Sequence, residues 1–214
     1  MTIDTYIFDI DHTLYPFSQG VEEWFGSTIS TFIGEKLGVT TKRGYEICED
    51  YYQTFGSTLP GLMYHHDITA KDFFDAKGKV PLEHIGVDEA GLAALIKSSK
   101  RKIAFTNASR RHGEHVLAHL GIRDQFEALF GLDDVGYWGK PFRRSFERVF
   151  NAANIVPTQT VFFEDSPRNL VYPHSLGMKT ALIGEQHFKI GDAPEHITIH
   201  TRDLATAIEQ ANEL

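Results

Sequence analysis

Tyr6-Ile7-Phe8-Asp9-Ile10-Asp11-His12-Thr13-Leu14-Tyr15 begins as an apolar, β-prone run and then breaks into two acids one residue apart. The pattern reads as a buried strand that delivers its carboxylates at its C-terminal end. That is the edge where open α/β sheets build their sites. Alternate residues of a strand share a face, so Asp9 and Asp11 converge if the backbone stays extended through Ile10. Two like charges held so close are costly without a cation, which makes a hard ion such as Mg²⁺ the natural third party. Taken alone, the stretch is also compatible with an acidic turn closing an ordinary strand. The decision falls to the rest of the chain.

Downstream the pattern alternates. Strands are expected at 102–105, 128–130, 160–163 and 179–183. Helices are expected at 86–99, with Asp88 as N-cap and Leu92, Leu95 and Ile96 inward, and at 114–120, 141–153, 169–176 and 203–211. Pro141 falls in the permitted first turn of its helix. Such alternation implies right-handed crossovers and an α/β fold with a Rossmann-like, mostly parallel sheet. Between the first strand and residue 84 it is missing. Pro16 favours a crossing segment, and Val21, Trp24, Phe25, Ile29, Phe32, Ile33 and Leu37 mark an amphipathic helix ending near Gly38. A second helix would carry Tyr45, Cys48, Tyr52 and Phe55 on its apolar face and stop at Gly56. Residues 57–67, with Pro60-Gly61, read as a loop, and a short helix around Phe73 and Phe74 follows. The expected organisation is a core of residues 1–15 and 84–214, with a helical cap of residues 16–83 inserted after the first strand.

A chain of 214 residues accommodates one α/β domain plus a modest insertion. A formal net charge of −8 is a poor footprint for non-specific nucleic-acid or membrane binding, so any phosphate must be met by local groups. Cys48 is the only cysteine, which excludes an intrachain disulfide and fits a reducing cytoplasm. The first strand is expected almost at Met1, so no signal peptide is expected, and no apolar run approaches the roughly 20 residues that span a bilayer.

Every residue with chemical potential follows an expected strand or opens a helix: Asp9 and Asp11, Thr106-Asn107, Lys140-Pro141 and Glu164-Asp165. Each has a bland alternative. Thr106 could be a helix cap, Lys140 a solvated surface lysine, and Glu164-Asp165 a capping pair before Ser166-Pro167. Their joint occurrence in order is harder to dismiss, because all would meet along one sheet edge. His12 points away from the two acids on an extended backbone and reads as structural. His65 and His66 read as cap-loop surface, and the aromatic stripes as the cap's own core.

This constellation resembles the haloacid dehalogenase-like hydrolase superfamily: D-x-D-x-T at Asp9, then Thr106, Lys140 and the Glu164-Asp165 pair, in that order, over residues 9–183. Residues 8–16, 51–62 and 162–170 further resemble the pyrimidine 5′-nucleotidase branch, whose members act in nucleotide metabolism by removing phosphate from nucleoside monophosphates. The resemblance implies an Mg²⁺-dependent phosphatase for a small phosphate monoester. Asp9 would be the nucleophile and form an aspartyl-phosphate, and Asp11 the general acid and then base. Thr106 and the backbone N–H groups of Asn107 and Ala108 would meet the phosphoryl group. Lys140 would bridge Asp9 and that group. The cation would be held by Asp9, the Asp11 carbonyl and Asp165, with Glu164 acting through water and Asn169 in support. Arg110 could reach a second anionic group of the substrate. A sugar-phosphate phosphatase or mutase, or a receiver-like phosphoacceptor module, would use many of the same residues. The oligomeric state, monomer or homodimer, is open, and so is the choice between Mg²⁺ and Mn²⁺.

Overall fold

A computed structural model describes residues 2–17 and 19–214. Strand β1 (Thr5–Phe8) is buried on both faces, which its near-continuous apolar composition requires. Tyr6 and Phe8 pack into one core with Leu95, Val116, Leu117 and Ile208, while Ile7 joins the opposite core with Ile103, Phe105, Phe146 and Phe162. The further strands are β2 (Arg101–Phe105), β3 (Ala128–Phe130), β4 (Thr160–Glu164), β5 (Lys179–Ile183) and β6 (Ile199–Thr201). All pairs are parallel, in the order β3-β2-β1-β4-β5-β6. The chain therefore winds outward from β1 in both directions. The crevice between β1 and β4, beyond their C-terminal ends, is the switch point at which such sheets hold ligands.

Helices α1 (Gln19–Leu37), α2 (Thr41–Phe55), α3 (Thr58–His65) and α4 (Ala70–Lys77) follow β1 before α5 (Glu89–Lys97) returns to the sheet. Local chemistry sets several of their ends. Thr40 caps α2 by accepting from Arg43 N–H, Gly56 ends it in the left-handed region at φ +76°, and Thr69 with Asp72 forms a reciprocal cap on α4. The remaining helices are α6 (Arg110–His119), α7 (Arg143–Ala152), α8 (Pro167–Ser175) and α9 (Leu204–Asn212). Among the described residues no helix is long and apolar enough to cross a membrane.

Several expectations are corrected. Residues 58–65 form α3 rather than loop: Pro60 lies in the first turn, where no intrahelical N–H bond is lost. Gly61 lies beneath the Tyr51 ring, where an added Cβ would come within 2.3 Å. Helix α6 starts at Arg110 and not 114, because Ser109 caps it by accepting from His112 N–H. Pro141 precedes α7 instead of opening it. The Lys140-Pro141 peptide is cis, and Phe142 N–H donates to Gly139 O at 3.0 Å, closing a turn before the helix begins. Ile96 is exposed. Tyr45 and Tyr52 are 55% and 42% exposed, so their side of α2 is not a packed seam; Ile47, Cys48 and Tyr51 make its apolar contacts. The three-residue β6 was too short to leave a pattern in the sequence.

Candidate active site

The β1 ladder extends one residue past Phe8 through Asp9 N–H to Phe163 O, at 2.9 Å. The chain then turns, contrary to the extended path expected through Ile10: Thr13 and Leu14 N–H both donate to Ile10 O, and His12 adopts φ +62°. His12 is buried and bonds Glu22 Oε1 at 2.7 Å through Nε2. Both Asp9 and Asp11 still line one cavity of about 950 Å³, together with Thr106, Asn107, Ala108, Lys140, Glu164, Asp165 and Asn169. Chain ends from β1, β2 and β4 and the turn before α7 thus converge there.

Lys140 lies at the centre of this group and is only 1% exposed. Its Nζ donates to Asp9 Oδ1 at 2.7 Å, to Glu164 Oε2 at 2.6 Å and to Phe105 O at 2.9 Å. Burial works against its charge, but Asp9 and Glu164 outweigh that and hold the ammonium above the usual lysine value. Its backbone is clasped by Asn107, whose Oδ1 accepts from Lys140 N–H at 2.7 Å and whose Nδ2 donates to Lys140 O at 2.8 Å. Gly139 must be small for this clasp, since a Cβ would meet Asn107 Oδ1 at 2.2 Å.

Asp9, Glu164 and Asp165 each offer a carboxylate oxygen within 4.8 Å of the others. Burial and the Glu164 charge push the Asp9 carboxyl up, with Lys140 only partly offsetting them, and the same two causes with Asp9 raise Asp165 well above the usual range. Three carboxylates against one ammonium leave an excess of negative charge on oxygen ligands, which is the donor set a divalent hard cation fits. Glu164 accepts directly from Lys140 and from Ser166 N–H. The Asp11 side chain stands apart from this cluster: Tyr15 OH and His112 Nε2 both donate to its Oδ1 at 2.7 Å. Burial opposes its charge, yet His112, Lys77 and Tyr15 together hold the carboxyl below the usual range.

Thr106 is buried, and its Oγ1 accepts from Ala108 N–H at 2.9 Å. That N–H, expected to face an anion, is turned inward instead. Asn169 is buried on the cavity wall. Arg110 is not brought to the site. Its guanidinium pairs with Asp134 at 2.8 Å and its N–H with Asp133 Oδ1 at 2.7 Å, and it does not line the cavity. His65 stacks on Tyr51 and His66 Nε2 bonds Tyr51 OH, away from the cavity.

Sequence reasoning missed five participants. His112 escaped because the sequence places the start of α6 four residues too late; with Ser109 read as its cap, His112 falls in the first turn, next to the Thr106 segment. Tyr15 was lost in a segment read as a mere crossing. Tyr45 and Tyr52 line the cavity with Cys48 and Glu49, one helical face that had been assigned to packing. Lys77 also reaches the cavity, its Nζ 4.0 Å from the Phe25 ring centroid, and burial lowers its pKa against the raising effect of Asp11 and Glu22.

Comparison with known proteins bears on this arrangement. A yeast protein (Saccharomyces cerevisiae), Phosphate metabolism protein 8, is 29% identical over 136 aligned residues, which cover 58% of this chain and 42% of that protein. The match thus spans less than half of the yeast protein's length. Among solved structures, a HAD phosphatase from Thermococcus onnurineus superposes with a TM-score of 0.61 at 18% identity, covering 95% of this chain and 94% of that one. L-2-haloacid dehalogenase from Xanthobacter autotrophicus gives 0.61 at 12% identity over the whole of both chains. Those two share the fold while differing in named activity. The model of haloacid dehalogenase-like hydrolases matches residues 3–171, and the chain belongs to that family.

Proposed function

We propose that the protein hydrolyses small phosphate monoesters through an aspartyl-phosphate on Asp9. A carboxylate oxygen of Asp9 attacks phosphorus while the ester P–O bond breaks, and Asp11 gives its proton to the departing oxygen. Water then attacks phosphorus, passes a proton to Asp11, and releases phosphate and Asp9. The incoming phosphoryl charge opposes the groups that keep Asp11 ionised, so one carboxyl serves as acid and as base. Lys140 aligns Asp9 and offsets phosphoryl charge, and Thr106 offers its hydroxyl. Mg²⁺ held by Asp9, the Asp11 carbonyl and Asp165, with Glu164 acting through water and Asn169 in support, would neutralise the phosphoryl oxygens.

The observation that carries this reading is one cavity holding a nucleophile, a second acid two residues on, and an acid pair exceeding the single ammonium. Expulsion of halide needs no proton and brings no phosphoryl charge, so dehalogenation would leave Asp11 and the acid pair without a task. The name of the yeast relative, in phosphate metabolism, points the same way. A pyrimidine nucleoside 5′-monophosphate is the proposed substrate, on the sequence resemblance in residues 8–16, 51–62 and 162–170. Helices α1–α4 would act as the cap that selects the leaving group, in a cavity at the upper end of the ordinary size for small-molecule sites.

The test is phosphate release from UMP, CMP, AMP, GMP, nicotinamide mononucleotide and several sugar phosphates, with and without Mg²⁺. Cation-dependent release led by UMP and CMP is expected, and Asp9→Asn should lower turnover by about 10⁴-fold or more. Undiminished activity in Asp9→Asn excludes the nucleophile, and an isomerised sugar phosphate as product would replace the phosphatase with a mutase.

A further inference from the structure

One oxygen of the Asp11 carboxylate is taken by two donors from different parts of the fold. Tyr15, in the segment after β1, and His112, in the first turn of α6, each reach Oδ1 at 2.7 Å. They are 1% and 7% exposed, and neither lines the cavity that Asp11 faces. They stand behind the carboxylate and out of reach of a substrate. Both rings are fixed by packing, Tyr15 against His12 and His112 against Phe25. Gly113 lets α6 approach closely enough for the contact, since a Cβ there would come 2.9 Å from Ile10 Cδ1 and 2.8 Å from Leu129. Among the described residues no hydrogen bond engages Asp11 Oδ2. A carboxylate gripped by two donors on one oxygen cannot rotate without breaking both bonds, so its free oxygen keeps a fixed heading.

We propose that Tyr15 and His112 are positioning residues that hold Asp11 by Oδ1 and thereby present Oδ2 to the leaving group. The inference rests on the phosphatase reading above, in which Asp11 protonates the departing oxygen. The two bonds also favour the ionised carboxylate, so what they supply is orientation, set before the substrate arrives and its phosphoryl charge favours a proton on Asp11. It matters in proportion to how much the leaving group needs the proton. A nucleoside 5′-oxygen departs poorly as an anion and depends on Asp11, whereas p-nitrophenolate departs unaided.

The experiment compares kcat/KM, which covers steps only through leaving-group departure, for UMP and p-nitrophenyl phosphate. Tyr15→Phe keeps the ring and removes one donor; His112→Ala removes the other; His112→Gln keeps an N–H near the position of Nε2. In Tyr15→Phe and His112→Ala, the loss on UMP should exceed the loss on p-nitrophenyl phosphate by about tenfold or more, and His112→Gln should recover part of it. Equal losses on both substrates, as a purely structural role would give, overturn the inference, and so does no loss in either variant. If His112→Ala does not fold, the Tyr15→Phe ratio decides alone. A wild-type protein inert toward both compounds overturns the phosphatase reading, and this inference with it.

Discussion

Lys140 Nζ is held by oxygens from the ends of three strands, through Asp9, Phe105 and Glu164. Removing it leaves buried carboxylates facing one another. Lys140→Met should therefore destabilise the fold by about 3–5 kcal/mol near pH 8. Asp9 and Asp165 have raised pKa values, so at pH 5 they are more protonated and the repulsion left by the missing ammonium shrinks. The urea midpoint difference between wild type and variant should be clearly smaller at pH 5 than at pH 8. A difference independent of pH would mean that the lysine is not the charge compensating these acids. Lys140 was legible as a candidate because a Gly-Lys-Pro sits among other strand-end residues. Its depth of burial was not, because that depends on Asn107 fixing its backbone from another strand's end.

At the scale of elements, the strand pattern was read well and the helical segment less so. Strands β1, β2, β4 and β5 are short apolar runs covered on both faces, and local sequence states that directly. Helix α2 shows the opposite case. Its Tyr45, Cys48, Tyr52 stripe has the spacing of a packed seam, and the sequence does not say that the surface opposite is a cavity. Pro60-Gly61 looked like a breaker because a proline's tolerance depends on its position in a turn not yet placed. Gly56, at the end of α2, bears on how this layer meets the site. A Cβ there would lie 2.4 Å from Pro141 Cδ and 2.5 Å from Lys140 O, at φ +76°. Gly56→Ala should cost about 1–3 kcal/mol and should lower kcat/KM by displacing the Lys140 backbone. Thermal melting and steady-state kinetics together check this, and wild-type activity in a destabilised variant would show that the contact matters to packing alone.

Across the whole molecule, the sheet order gathers acids at one rim while the net charge stays at −8. Raised carboxyls bind more protons in the folded than in the unfolded state between the ordinary aspartate pKa and their own. Stability of the cation-free protein should therefore fall as pH rises from about 4, through the value near 7 to which Asp9 is pushed. Mg²⁺ held by these acids, as proposed, would compete with those protons, so 10-fold steps in added Mg²⁺ should raise Tm at pH 8 by more than at pH 5. An equal rise at both would place the binding elsewhere. Asn107 links two parts of this molecule that the sequence keeps far apart: its carboxamide grips Lys140 on both backbone atoms and reaches Gly56 O at 3.4 Å. A rocking of the helical layer over the sheet would tug on the same rivet that aligns the central ammonium, so any shift of the α2 end and the heading of that charge would be mechanically coupled.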